Sequence, residues 1–139
     1  MFSYILAAAC HDVDHPGFNT IFLIEKRDEI AINFNDISVL ENYHIATSFQ
    51  ILSDSEFNIL KNFSKADFKR IRKLMIDAIL STDMSKHFKE SALFKNTVTS
   101  EDLDPKLPEE KLKICTFLFH LADISNSTKK FDTCFKWCE

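Results

Sequence analysis

The run His11-Asp12-Val13-Asp14-His15-Pro16-Gly17 sets imidazole and carboxylate side chains beside one another. On a helix His11 and His15 are four apart and share a face, with Asp12 one step round the same end. An adjacent His-Asp pair can offer one metal ion a nitrogen and an oxygen, leaving the second carboxylate oxygen to bridge to another ion. Pro16 and Gly17 then bend the chain away and expose that end. A single pair of this kind would be an ordinary polar helix terminus, but three further sets follow. Glu41 and His44 stand i, i+3 on a face that also carries Ile37, Leu40 and Phe49. Thr82, Asp83 and His87 form a third set, and His120, Asp123, Ser125 and Asn126 a fourth. A carboxylate on an apolar face is expensive to bury without a partner. Glu41 therefore either pairs with a surface lysine or holds metal-bound water.

Such residues need elements to position them. The 139 residues include one glycine and three prolines, too few turn formers for a β-sandwich or barrel. An all-α fold, a compact multi-helix bundle, is expected. The apolar stretch from Met1 to Cys10 reads as the buried end of a helix leading into His11. It lacks the basic segment of a signal peptide and is too short to span a bilayer. Asn35 or Asp36 is expected to N-cap the next helix, with Ser38 and Glu41 at capping-box spacing. Ile37, Leu40, His44, Ile45, Phe49 and Leu52 then recur on one face. A long helix is expected from about Lys65 to about Met84, opened by Ser64 and Asp67. Its apolar stripe is Phe68, Ile71, Leu74, Met75, Ala78, Ile79 and Thr82. The polar stretch from Lys95 to Pro108 reads as a surface loop. Pro108, Glu109 and Glu110 suit a helix start, and that helix would run through Leu112, Cys115, Leu118, Phe119 and Ala122 to Asp123.

Composition narrows the class of partner. Apolar residues make up 45% and charged residues 27%, as in a soluble globular chain, and 17 basic against 21 acidic residues give a net charge of −4. No basic stripe suggests nucleic acid or direct membrane contact. Cys10, Cys115, Cys134 and Cys138 form no Cys-x-x-Cys pair and sit in or beside apolar helical runs. Reduced thiols in a cytoplasmic protein are the expectation. The 14 phenylalanines are a large bulk for a small core and point to packing against further structure.

Four ordered motifs carry a resemblance. His11 to Phe22 is similar to a His-Asp-aliphatic-x-His-x-Gly signature, and Asn35 to Asn42 to an Asn-Asp-x-Ser-Val-Leu-Glu-Asn run. Ser81 to His87 is similar to Ala-Thr-Asp-Met-Ser-Lys-His. His120 to Asn126 matches Ala-Asp-x-Ser-Asn, with Lys136-Trp137 following. Together they resemble the catalytic domain of class I 3′,5′-cyclic nucleotide phosphodiesterases over essentially the whole chain. The resemblance implies hydrolysis of cyclic AMP or cyclic GMP to the 5′-monophosphate. It makes His11 and Asp12 ligands of a tighter metal, usually zinc (Zn2+), with Asp12 bridging to magnesium (Mg2+) or manganese (Mn2+). Asp123 becomes the remaining carboxylate ligand of the first metal. His15, Glu41, His44 and Thr82 match positions around the metal-bound waters, and Asn126 matches a nucleotide-pocket position. The implied chemistry is in-line attack on phosphorus by a hydroxide bridging two metals.

Departures from the pattern are Thr20 for asparagine, Tyr43 for the first of two histidines, and Phe34 for tyrosine. The family's His-Asn-x-x-His segment, which carries the general acid, would lie upstream of His11. Its purine-binding glutamine and stacking phenylalanine would lie downstream of Trp137. Residues 1–139 therefore read as a central part of a catalytic domain. The expected partners are a cyclic nucleotide substrate, the remainder of that domain and a second copy in a homodimer. Taken alone, the chain is expected to turn over little substrate. The alternative is a catalytically dead helical module with a regulatory or heterodimerising role. Another His-Asp phosphohydrolase would not need the Ser-Val-Leu-Glu-Asn and Thr-Asp-Met motifs.

Overall fold

Apolar periodicity, caps and turn residues resolve into eight α-helices in a computed structural model that describes residues 1–99, 104 and 106–137. No strand occurs among the described residues, so the all-α expectation holds. The chain divides into two units, Met1–Asp83 and Met84–Glu139.

The first unit holds α1 (Phe2–Cys10), α2 (Thr20–Glu25), α3 (Glu29–Asn33), α4 (Val39–Ser53) and α5 (Lys65–Leu80). Helix α1 packs on α5 and α4, and α4 packs on α5 and α3. Ala7, fully buried on α1, lets those backbones approach, while Met75, Ala78 and Ile79 present the buried stripe of α5. Ile45, Phe49 and Leu52 fill the α4 side. A separate cluster of Leu23, Ala31, Val39 and Leu40, covered by Ile24 and Ile30, seats the short helices α2 and α3. Asn19 caps α2 by accepting from the Phe22 amide at 2.8 Å. Ser64 caps α5 as expected, accepting from the Asp67 amide at 3.1 Å and donating to its carboxylate at 2.6 Å.

In the second unit α6 (His87–Thr99) packs on α7 (Pro108–Asp123), and the short α8 (Phe131–Phe135) follows. The Phe94 and Phe117 rings stack with centroids 4.1 Å apart. Pro108 sits in the first turn of α7 with Glu109 and Glu110, satisfying the dipole and needing no amide partner.

Five local expectations are corrected. His11 is the C-cap of α1 and residues 11–14 form a turn with Asp14 at φ 59°, so His11 and His15 do not share a helix face. Asn35 and Asp36 do not cap α4. Both are left-handed, and their amides bond back to Ile32 and Ala31, which closes α3. Short amide and carboxylate side chains tolerate that conformation. The N-cap of α4 is Ser38, itself left-handed and without a side-chain cap bond, so no capping box forms with Glu41. Helix α5 stops at Leu80 because the Ser81 and Thr82 hydroxyls take the Ala78 and Ile79 carbonyls at 2.6 and 2.7 Å, which leaves Thr82 beyond the stripe. The stretch from Lys95 is helical to Thr99, since proline does not interrupt it there and Phe94 anchors it. Cys10, Cys115 and Cys134 are free thiols, and Cys138 lies outside the described residues.

Candidate active site

The end of α1 delivers His11 and Asp12 into a turn tied back to the helix. The Val13 amide bonds to the Cys10 carbonyl at 3.1 Å, and the His15 amide to the Asp12 carbonyl at 3.2 Å. His11 Nδ1 lies 2.9 Å from the Ala8 carbonyl. A carbonyl only accepts, so Nδ1 carries a proton, and Nε2 is the nitrogen turned toward Asp12. That Nε2 stands 3.2 Å from Asp12 Oδ2.

His44 enters from α4 and is buried. Its Nδ1 donates to the Val13 carbonyl at 2.7 Å, and its Nε2 is 3.9 Å from Asp12 Oδ1. Burial pushes the His44 imidazole below its ordinary 6.5, against the Val13 bond and the Asp12 charge, which favour protonation. The ring is therefore a neutral acceptor at Nε2 facing a carboxylate. His15 stacks on it with centroids 5.4 Å apart. The opposite tautomer holds for His15: the Gly17 amide donates to its Nδ1 at 3.0 Å, so the proton sits on Nε2. Gly17 makes that turn at φ +79°, where a side chain would be strained.

Glu41 is half-buried one turn before His44 on α4. Beyond α5, the Thr82 hydroxyl has given its proton to the Ile79 carbonyl and can only accept from a water. Beside it, Asp83 Oδ2 accepts from Ser38 Oγ at 2.7 Å. In the second unit Asp123 ends α7, exposed. Asn126 donates through Nδ2 to Cys134 Sγ at 3.3 Å, and its buried Oδ1 has no hydrogen-bond partner among the described residues. His120 is buried, with Nε2 at 2.8 Å from His87 Nδ1. Burial, then the His87 charge, holds it below 6.5.

The sequence profile of the 3′5′-cyclic nucleotide phosphodiesterase family matches residues 1–139. The chain belongs to that family. It is 36% identical to the 3′,5′-cyclic-nucleotide phosphodiesterase regA of Dictyostelium discoideum, covering 99% of this chain and 17% of that protein. It is 41% identical to the human high affinity cGMP-specific 3′,5′-cyclic phosphodiesterase 9A, over 96% of this chain and 22% of that one. Among solved structures, it is similar to the phosphodiesterase domain of the Salpingoeca rosetta rhodopsin phosphodiesterase. The TM-score is 0.89 at 33% identity, over 98% of this chain and 42% of that one. The chain thus spans less than half of the solved domain and about a fifth of the curated relatives.

The phosphodiesterase family is metal-dependent, and the donors at the end of α1 can be tested for fit. Ligands about 2.1 Å from a tetrahedral ion lie about 3.4 Å from each other. The His11 Nε2 to Asp12 Oδ2 separation of 3.2 Å suits one shared ion. The Ala8 carbonyl holds Nδ1 as a donor, which leaves Nε2 as the nitrogen that would ligate. These two residues fit as part of a site. No group of three or more His, Cys, Asp or Glu side chains forms a metal cage among the described residues.

Within the first unit the structure brings His11, Asp12, His15 and His44 together. Asp123 and Asn126 stand at the end of α7 in the second. The sequence reading missed Asn42, whose Nδ2 donates to the Ile37 and Ser38 carbonyls at 2.9 and 3.1 Å and locks the turn into α4. It named Tyr43 only as a departure from the family pattern and not as a donor to Asp14, because no local periodicity marks a pair 29 residues apart. Among the described residues, no helix is long and apolar enough to cross a membrane.

Proposed function

We propose that this chain carries part of the catalytic site of a phosphodiesterase that hydrolyses 3′,5′-cyclic AMP or cyclic GMP to the 5′-monophosphate. His11 and Asp12 would hold a zinc ion together with Asp123, and the free Asp12 oxygen would reach a magnesium or manganese ion. Such ions, when bound, stabilise charge on the phosphoryl oxygens and lower the pKa of water. The residues divide the remaining work. The His15 Nε2 proton is available to donate to a water or a phosphoryl oxygen. Glu41, the neutral His44 Nε2 and the Thr82 hydroxyl accept, which orients water by its protons. The unused Asn126 Oδ1 suits a hydrogen-bond donor on the nucleotide. The free thiols support a reducing, cytoplasmic compartment.

The observation that carries this reading is the His11–Asp12 pair at 3.2 Å with its tautomer locked by Ala8. Calorimetric titration of the chain with zinc tests it. Asp12→Ala is expected to weaken binding at least tenfold, and Asp123→Asn less, since Asp12 serves both ions. Equal zinc affinity for wild type and Asp12→Ala would sink the assignment.

A further inference from the structure

Two successive residues of α4 grip two successive residues of the turn that bears His11 and Asp12. His44 Nδ1 donates to the Val13 carbonyl, and the Tyr43 hydroxyl donates to the Asp14 carboxylate. Asp14 is left-handed at φ 59°, a conformation that a short carboxylate side chain tolerates and a bond from outside the turn can fix. The amides of Val13 and His15, the residues on either side of Asp14, are bonded to the Cys10 and Asp12 carbonyls, so the position of Asp14 sets the path from Asp12 to His15.

Tyr43 is half-buried, and with Phe34, Thr47 and Gln50 it lines a cleft of about 470 Å³ between α3 and α4. What directs the phenol is polar. The Asp14 carboxylate accepts from its hydroxyl.

We infer that Tyr43 is a positioning residue, which fixes the His11–His15 turn through Asp14 and so presets the His11–Asp12 pair for a metal ion. The metal half of this statement rests on the function proposed above; the strap itself does not. Tyr43 touches neither metal ligand and acts only through Asp14.

Hydrogen exchange on the metal-free chain and cobalt titration, followed by its visible absorption, test the two halves. Tyr43→Phe deletes only the donor. It is expected to speed exchange at the His15 and Gly17 amides several-fold and to weaken cobalt binding about tenfold, as for loss of a group that orients a ligand. Asp14→Gly keeps the left-handed backbone but loses the acceptor, and should match it. The double variant should be no worse than either single one. Asp14→Asn retains an acceptor and tolerates the left-handed conformation, so it should restore both readouts. Unchanged exchange in Tyr43→Phe overturns the inference. So does faster exchange with cobalt affinity unchanged, provided Asp12→Ala loses cobalt. Cobalt affinity that Asp12→Ala leaves intact would instead refute the metal assignment, and with it the presetting role, while exchange still reports on the strap.

Discussion

Ser38 Oγ donates a 2.7 Å hydrogen bond to Oδ2 of Asp83, 45 residues further along the chain. Asp83 is 8% exposed, and Ser38 holds a left-handed φ of 42° at the start of α4. The bond ties the segment carrying Glu41 and His44 to the segment carrying Thr82. Hydrogen bonds to a charged acceptor contribute about 1.5–3 kcal/mol. Ser38→Ala should therefore destabilise the chain by roughly that amount. Ser38→Gly should cost about 1 kcal/mol less, because glycine is unstrained at positive φ. Urea unfolding of both variants decides this, and equal midpoints for the two would remove the backbone argument.

Acid should destabilise the fold through its buried imidazoles. His44 and His120 are both held below 6.5 by burial, so the unfolded chain binds their protons first. Stability is full above about pH 6.5 and declines as the pH falls from there toward the depressed folded values. His120→Gln should flatten that decline without abolishing it. Urea midpoints measured from pH 7.5 to 5 check the slope, and a midpoint that rises on acidification contradicts it.

Ala7 is fully buried where α1 meets α5. Ala7→Leu would force extra methylenes into that contact and should cost about 1–3 kcal/mol. The displaced helix carries His11 at its end, so zinc affinity should fall as well. Thermal unfolding and calorimetry on this one variant test both effects, and wild-type values in both would show that the contact is slack.

Trp137, the only tryptophan of the sequence, is 77% exposed, and Phe88 and Phe131 are 85% and 76% exposed. Its emission should be that of indole in water, with full access to a soluble quencher. Apolar surface of this kind binds hydrophobic dyes and favours association. A blue-shifted, unquenched emission from dilute monomer would contradict this exposure.

Local chemistry alone was enough for the helical class and for much of its punctuation. One glycine, the Ser64 cap and the Pro108-Glu109-Glu110 start act over three or four residues, and all three appear in the structure as expected. The same was true of the ordered motifs, whose residue types identified the family before any contact was known. The turns were not legible. Asn35 and Asp36 suit an N-cap and a left-handed helix end equally well, and only the packing of α3 through Ala31 chose the second. Nor was the His11–His15 spacing informative, since a single left-handed residue at Asp14 breaks helical periodicity. Which imidazole nitrogen donates to or accepts from the backbone depends on carbonyls at Ala8 and Val13 and an amide at Gly17. The straps Ser38–Asp83 and Tyr43–Asp14 join residues 45 and 29 apart. Their partners are set by how helices pack, and only the tertiary structure brings them within bonding distance.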